Sequence, residues 1–181
     1  VMVFMSCANK MSEKTLDNPW QKMSLIVKSI PQVDFLNKDY NVKDFGAVGD
    51  GVTFNTAAFE KAVKTCTANG GGRVIVPQGK YLTGSIHLEN NVNLHLEDNA
   101  EILFSTNPKD YPIVHTSWEG TELMNYSPLI YAKNKTNVAI TGKGTLNGQA
   151  NNTNWWVWSG GKSYGWEKGI PSQNDTSNRE V

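Results

Sequence analysis

The sequence has no excess of either charge, few cysteines and no long apolar run after its first residues. Lys plus Arg number 17 and Asp plus Glu also number 17, so the formal net charge is zero and nothing points to nucleic acid as a partner. The two cysteines cannot form a disulfide framework, and metal-ligand spacing is absent, so we expect no metal and no cofactor. No later run reaches membrane-spanning length. The length suits one domain, which we expect to be a monomer.

What the sequence does contain is a repeated strand pattern. Residues 91–104 read NVNLHLEDNAEILF, in which Val92, Leu94 and Leu96 alternate with polar residues before a polar corner and a second apolar run. Residues 137–147 read NVAITGKGTLN and follow the same design 46 residues later. A strand, a tight corner, a strand and then the same again predict an all-β parallel β-helix.

The segments before and after this pattern extend the prediction. An apolar stripe at helical spacing predicts a helix that begins after Asn55 or Thr56, ends at residues 69–72 and caps the stack. Further strands are predicted around 74–76, 81–83, 86–88 and 128–131. Residues 105–127 show no strand period, so we predict an excursion loop there.

The chain divides into three predicted segments. Residues 1–7, VMVFMSC, are interpreted as the remnant of an export signal, in which Cys7 after Ser6 is similar to a bacterial lipobox and would carry a lipid. A plain export signal and an accidental apolar run are the alternatives. Residues 8–39 form a tether or N-terminal extension, and residues 40–181 the first coils of the β-helix. We therefore expect an exported bacterial protein, periplasmic or an outer-membrane or cell-surface lipoprotein, that meets the membrane only through its lipid.

Several stretches carry a family resemblance. They include DFGAVGDGVTFNTAAFEKAV, GGGRVIVPQGKYLTGSIHL, WEGTELMNYSPLIYA and NVAITGKGTLNGQ. Over residues 40–158 the chain resembles the N-terminal part of polygalacturonase-like enzymes, glycoside hydrolase family 28, in the manner of Bacteroides-type members. The resemblance implies a right-handed parallel β-helix of the pectin lyase-like superfamily. It also implies inverting hydrolysis of pectic polysaccharide or oligogalacturonide, with aspartates as acid and base.

The catalytic signatures of that family are absent from their proper setting in this sequence. They are an Asn-x-Asp segment, an Asp-Asp pair, a Gly-His segment and an Arg-x-Lys segment, all on later coils. We therefore predict no catalytic residue within the chain, no activity for the chain alone, and a natural protein that continues beyond Val181. A polysaccharide lyase on the same scaffold and a non-catalytic β-helical protein that binds glycan or serves a structural role remain alternatives.

Aromatic side chains mark candidate substrate contacts. Trp118 would offer a flat apolar surface to a sugar ring, and Glu119 would accept hydrogen bonds from hydroxyl groups; packing that anchors the loop is the alternative. Trp155, Trp156 and Trp158 are further substrate-binding candidates. If they alternate as in a strand, Trp156 faces one side and its two neighbours the other, with at least one packed into the stack and one lining the groove.

Basic side chains are the remaining candidates, because a galacturonate polymer is acidic. Lys133 and Lys143 lie near the expected coils, although each is also explained as a solvated surface lysine. His87 and His95 fall on outward strand positions, where stacking or solvation is expected and sugar contact is the alternative. His115 lies in the excursion and has no assigned place.

Overall fold

The computed structural model describes residues 19–31 and 33–170, and their contacts divide between Val33 and Asp34 into two units. The first unit contains helix α1, Pro19–Ser29, within the predicted tether. The predicted lipidation site, Cys7, lies outside the described residues, as does everything after residue 170. In the described part of the chain, no helix is long and apolar enough to cross a membrane.

The second unit is a stack of short strands with one helix, α2, at Thr56–Ala68. The strands are β1 Asp39–Asn41, β2 Asp50–Phe54, β3 Gly72–Val76, β4 Gly79–Thr83, β5 Ile86–His87, β6 Val92–Leu96, β7 Ala100–Phe104, β8 Ile113–Trp118, β9 Thr121–Tyr126, β10 Ile130–Tyr131, β11 Ala139–Gly142 and β12 Thr145–Asn147. Short 3₁₀ turns lie at Val42–Phe45, Pro108–Asp110, Trp156–Ser159 and Lys162–Tyr164.

Three parallel sheets run along the stack. The first sheet has the order β1-β3-β6-β11, the second β2-β4-β7-β12, and the third pairs β5 with β10. Each turn of the chain therefore adds a strand to successive sheets, which is the architecture of a parallel β-helix. Leu94 pairs with Val74 on one side and with Ile140 on the other, so the 46-residue repeat is the step from one coil to the next. The predicted parallel β-helix is confirmed.

Inward side chains of successive coils form one apolar core. Val74 and Leu94 are fully buried where β3 and β6 pair, and Tyr81 and Ile102 are fully buried where β4 and β7 pair. The buried face of α2 joins this core, and its Phe59 ring meets Tyr81 edge-on at a centroid distance of 6.3 Å. The helix predicted from the apolar stripe is therefore present at the predicted place.

Asn55 precedes α2, but its side chain makes no capping hydrogen bond. It is buried, and its Oδ1 accepts a hydrogen bond from the Val48 N–H at 2.7 Å. Its Nδ2 donates to the carbonyl oxygens of Val48, Thr53 and Leu82 at 3.1, 2.6 and 3.2 Å. The side chain thus ties the glycine-rich segment before α2 to strand β4, which satisfies backbone groups that burial would otherwise penalise.

The prediction that residues 105–127 lack strands is wrong. This excursion contains β8 and β9, which pair antiparallel and project from the parallel stack. Glu119 and Gly120 join them with φ of 48° and 83°, the two positive values of a type I′ hairpin turn. The hairpin escaped prediction because backbone pairing forms it without a continuous buried face, so its sequence carries no period of two.

The outer edge of β11 differs from the interior of the same sheet. Leu94 is fully buried between two strands, whereas its neighbour Ile140, on the last strand of the sheet, is 46 % exposed. Equivalent positions of one sheet therefore differ in how much apolar surface they remove from water.

This difference predicts unequal costs of truncation. Leu94→Ala should lower the free energy of unfolding by about 2–5 kcal/mol, because it leaves a cavity in a packed core. Ile140→Ala should cost about half as much or less, because much of its side chain already meets water. Urea unfolding followed by circular dichroism measures both values. Equal losses would show that the β11 edge is covered in solution and would contradict the prediction.

Candidate functional site

The third sheet carries polar side chains and lies where the long excursion rejoins the stack. The half-buried His87 ring on β5 has its Nε2 3.2 Å from the Ser85 hydroxyl and 3.0 Å from the Ser127 hydroxyl. In the paired strand β10, the Tyr131 ring lies 5.0 Å from the His87 ring with a tilt of 48°. Burial lowers the pKa of His87 below that of an ordinary histidine. His87 therefore stacks within the third sheet, as expected for this residue.

Tyr131 connects this sheet to the hairpin. Its hydroxyl donates a hydrogen bond of 2.9 Å to the main-chain carbonyl of His115 on β8. Contacts therefore run from Ser127 through His87 and Tyr131 to the hairpin. This arrangement holds the projecting strands against β10, although they share no sheet with it.

A cavity of about 260 Å³ lies between the hairpin and the residues around Tyr131. We call it the hairpin cavity. Its polar lining side chains include His115 and Glu122 from the hairpin and Lys133 from the opposite wall. His115 Nε2 lies 3.5 Å from a Glu122 carboxylate oxygen, whereas its Nδ1 is buried and has no hydrogen-bond partner among the described residues. The cavity thus combines one acid, one imidazole and one ammonium group.

The two lysines predicted near the site have different surroundings. Lys133 is half-buried in the cavity wall and has no ion pair with any described residue. Lys143 follows β11, its side chain is 80 % exposed, and its Nζ lies 3.7 Å from an Asp98 carboxylate oxygen. Lys143 is therefore a solvated surface lysine, whereas Lys133 lies at a concave site.

Trp118 and Glu119 occupy the tip of the hairpin. Trp118 is 61 % exposed, and Glu119 forms the first half of the turn. Since side chains alternate along a strand, Trp118 points to the face of β8 opposite that of His115 and Ser117. The tip residues are therefore separate from the cavity wall, and their contact with substrate stays a prediction.

The tryptophans after residue 150 do not alternate as a strand would place them. Residues 156–159 form a 3₁₀ turn, so the strand argument for them is wrong. Trp155 and Trp156 are largely exposed, and Trp156 lies 6.2 Å from the Tyr164 ring. Val157 is the buried side chain of this turn. The main chain of Trp158 lies in the same turn. A role for these tryptophans in substrate binding stays a prediction.

Sequence reasoning missed the residues that hold the site together. Tyr131, Ser85 and Ser127 were not candidates, because the pairing of β5 with β10 spans 44 residues and depends on the length of the excursion. His95 was considered, and its Nδ1 lies 2.7 Å from the Thr141 hydroxyl of the next coil. Among the described residues, no cluster of three or more His, Cys, Asp or Glu side chains is placed to hold a metal ion.

Comparisons with known proteins agree with this architecture. A family model described as rhamnogalacturonase A/epimerase, pectate lyase-like, matches residues 40–95. The chain is 38 % identical over 129 residues to a probable polygalacturonase of Vitis vinifera, a match of 66 % of this chain and 26 % of the relative. It is 31 % identical over 143 residues to mannuronan C5-epimerase AlgE2 of Azotobacter vinelandii, a match of 79 % of this chain and 14 % of the relative.

A solved structure extends the comparison to three dimensions. The hyperthermoactive exopolygalacturonase from Thermotoga maritima superposes with a TM-score of 0.79 at 44 % identity, over 85 % of this chain and 34 % of that one. The protein is therefore a right-handed parallel β-helix. Its sequence and fold are polygalacturonase-like, which confirms the resemblance. The chain spans only 14–34 % of the length of these three proteins.

The Tyr131 hydroxyl provides a direct test of how the hairpin is held. Tyr131→Phe removes its hydrogen bond to His115 and should lower the free energy of local opening of β8 and β9 by about 0.5–1.5 kcal/mol. Amide hydrogen exchange measures this opening. Tyr126→Phe is the matched control, because the Tyr126 hydroxyl on the same hairpin has no hydrogen bond with a described residue. Identical exchange in both variants would rule out the proposed anchor.

Proposed function

We propose that this chain forms part of a polygalacturonase-type glycoside hydrolase of family 28, which hydrolyses glycosidic bonds in pectic polysaccharide. The observation that carries the proposal is the similarity to the exopolygalacturonase of Thermotoga maritima, which holds in sequence and in fold at once. The site agrees with it, because the concave surface beside the third sheet includes Lys133, whose ammonium group can pair with the carboxylate of an acidic sugar, alongside His115, Ser117 and Glu122.

The proposed chemistry requires two carboxyl groups on opposite sides of the scissile bond. In an inverting enzyme they lie roughly 6.5–9.5 Å apart, one protonating the leaving oxygen and the other activating water. No carboxyl of this chain is assigned to either role. Glu101 on β7 pairs with Lys80 on β4, and Glu89 after β5 pairs with Lys135 after β10, so each carboxylate joins neighbouring coils rather than being placed for proton transfer. We therefore propose that this chain is inactive alone and contributes scaffold and substrate contacts.

The hairpin favours one mode of action within this proposal. It projects beside the third sheet and is tied to it through Tyr131, so it would form a wall across one end of a groove along that sheet. A wall of this kind would admit a polysaccharide by its end only. We therefore propose that the enzyme releases short units from a chain end.

A lyase is the second candidate, because the matching family model, described as rhamnogalacturonase A/epimerase, pectate lyase-like, also refers to this class. A lyase on this scaffold would use a basic residue to abstract a proton and would often use calcium. Its products carry a new double bond and absorb ultraviolet light, whereas hydrolysis products do not. The two candidates therefore differ in a property that one spectrum measures.

Export and lipid attachment form a separate proposal. Cys7 follows an apolar run and Ser6, which supports processing as a lipoprotein and a periplasmic, outer-membrane or cell-surface location. Pectic polysaccharide is too large to be met inside a cell, so an exported enzyme agrees with the proposed substrate.

Activity is tested on the protein encoded by the whole reading frame. Incubation with polygalacturonate should increase reducing ends without ultraviolet absorbance, and the products should be short from the first time points. The 181-residue chain under the same conditions should release nothing. Ultraviolet-absorbing products would establish the lyase, mid-chain cuts would refute the chain-end mode, and binding without shortening would refute both enzymes.

Lipid attachment is tested by replacing the cysteine. In a bacterial host, Cys7→Ser should move the protein from the membrane fraction to the soluble exported fraction and remove the mass of the lipid. Cys66→Ala is the matched control, because Cys66 is buried in α2 and should leave the lipid in place. A wild-type protein that carries no lipid mass would contradict the proposal.

A further inference from the structure

We propose that the hairpin cavity is a binding subsite for a single uronic acid residue, with Lys133 as the partner of its carboxylate. The cavity is formed by residues of this chain alone, so the inference concerns a site that the chain carries with or without catalytic groups. The choice of a galacturonate as the sugar rests on the proposed function. The need for an anion rests on the charges described next.

The surroundings of Lys133 point to a missing anion. Lys133 and Lys135 are half-buried, whereas the other lysines in the described part of the chain are exposed. Lys135 lies beside the Glu89 carboxylate. Lys133 is half-buried in a cavity wall and has no such partner within residues 19–31 and 33–170. A partly desolvated ammonium group is stabilised when a carboxylate pairs with it. The free partner position therefore faces the cavity, where a ligand would supply the carboxylate.

A second observation comes from the opposite wall. The Nδ1 atom of His115 is the one buried side-chain nitrogen or oxygen without a hydrogen-bond partner in the described part of the chain. Buried polar groups are normally satisfied by protein, water or ligand. Ser117, on the same face of β8 as His115, and Glu122, its partner on β9, also line this wall. Together they can exchange hydrogen bonds with the hydroxyl groups of a sugar.

The hairpin cavity has room for one sugar ring. Its volume of about 260 Å³ lies just below the range of about 300–1,000 Å³ that is typical of pockets for drug-sized ligands.

The two walls are held in place before any ligand arrives. The Tyr131 hydroxyl joins the β10 side to the main chain of β8, and the His87 ring stacks on the Tyr131 ring. The type I′ turn at Glu119 and Gly120 fixes the register of β8 and β9. Preorganised walls reduce the conformational entropy lost on binding, which favours affinity for a small ligand.

The test measures binding of trigalacturonate to the 181-residue chain by isothermal titration calorimetry. Lys133→Gln should weaken binding about fivefold or more, because it removes a charge-assisted hydrogen bond. Lys143→Gln is the matched control and should leave the affinity unchanged. Fully methyl-esterified trigalacturonate, which has the same shape without the charge, should bind the wild-type chain as weakly as trigalacturonate binds Lys133→Gln.

A second variant, expected to change the affinity in the opposite direction, distinguishes loss of binding from loss of folding. Glu122→Gln removes the acidic side chain found among the described residues that line the cavity, and it should strengthen the binding of trigalacturonate while Lys133→Gln weakens it. Equal affinity of the wild type and Lys133→Gln, or equal affinity for the acidic and esterified sugars, would overturn the subsite. Hydrolysis of polygalacturonate in the activity assay together with that result would refute the subsite and leave the proposed function unaffected.

Discussion

The in-register stacking of inward side chains is the constraint on which the rest of this structure depends. Leu94 lies directly between Val74 and Ile140, and Ile102 lies directly between Tyr81 and Leu146. A slip of one residue would turn these side chains outward, because successive side chains of a strand face opposite sides. Burial therefore fixes the register of each coil against the next, and through the register it fixes the position of every polar side chain on the outer surface.

Because pairing between strands determines the register, the segments between the strands can vary in length. The step from β4 to β7 is 21 residues, whereas the step from β7 to β12 is 44 residues, and both pairs remain parallel. The additional residues form the hairpin and its flanks without disturbing the core. The stack thus provides a rigid base, and the excursion provides the second wall of the hairpin cavity. Site and scaffold are therefore built from separate parts of the sequence.

Sequence reasoning succeeded where burial produces a recognisable pattern of apolar residues in the sequence. Strand β6 and helix α2 were predicted because their apolar residues recur at spacings of two and of three to four, and β3 because its apolar residues form a short continuous run before a proline. The hairpin and β2 lack such a face and were missed. Lys133 was a candidate because it is basic, but the sequence did not indicate that it lies in a cavity wall without an ion pair to a described residue. Tyr131 was predicted as part of a strand but not as a site residue, because its contacts to His87 and His115 depend on coil pairing and loop length rather than on local pattern.

The anchor of the hairpin uses a main-chain atom of position 115, and this has an evolutionary consequence. The Tyr131 hydroxyl bonds to the carbonyl oxygen of His115, a group that every amino acid possesses. Substitution at position 115 can therefore change the chemistry of the cavity wall while the attachment persists. In related proteins with this anchor, a substitution at position 115 alone can change the ligand preference. The backbone does not have to rearrange for this to happen.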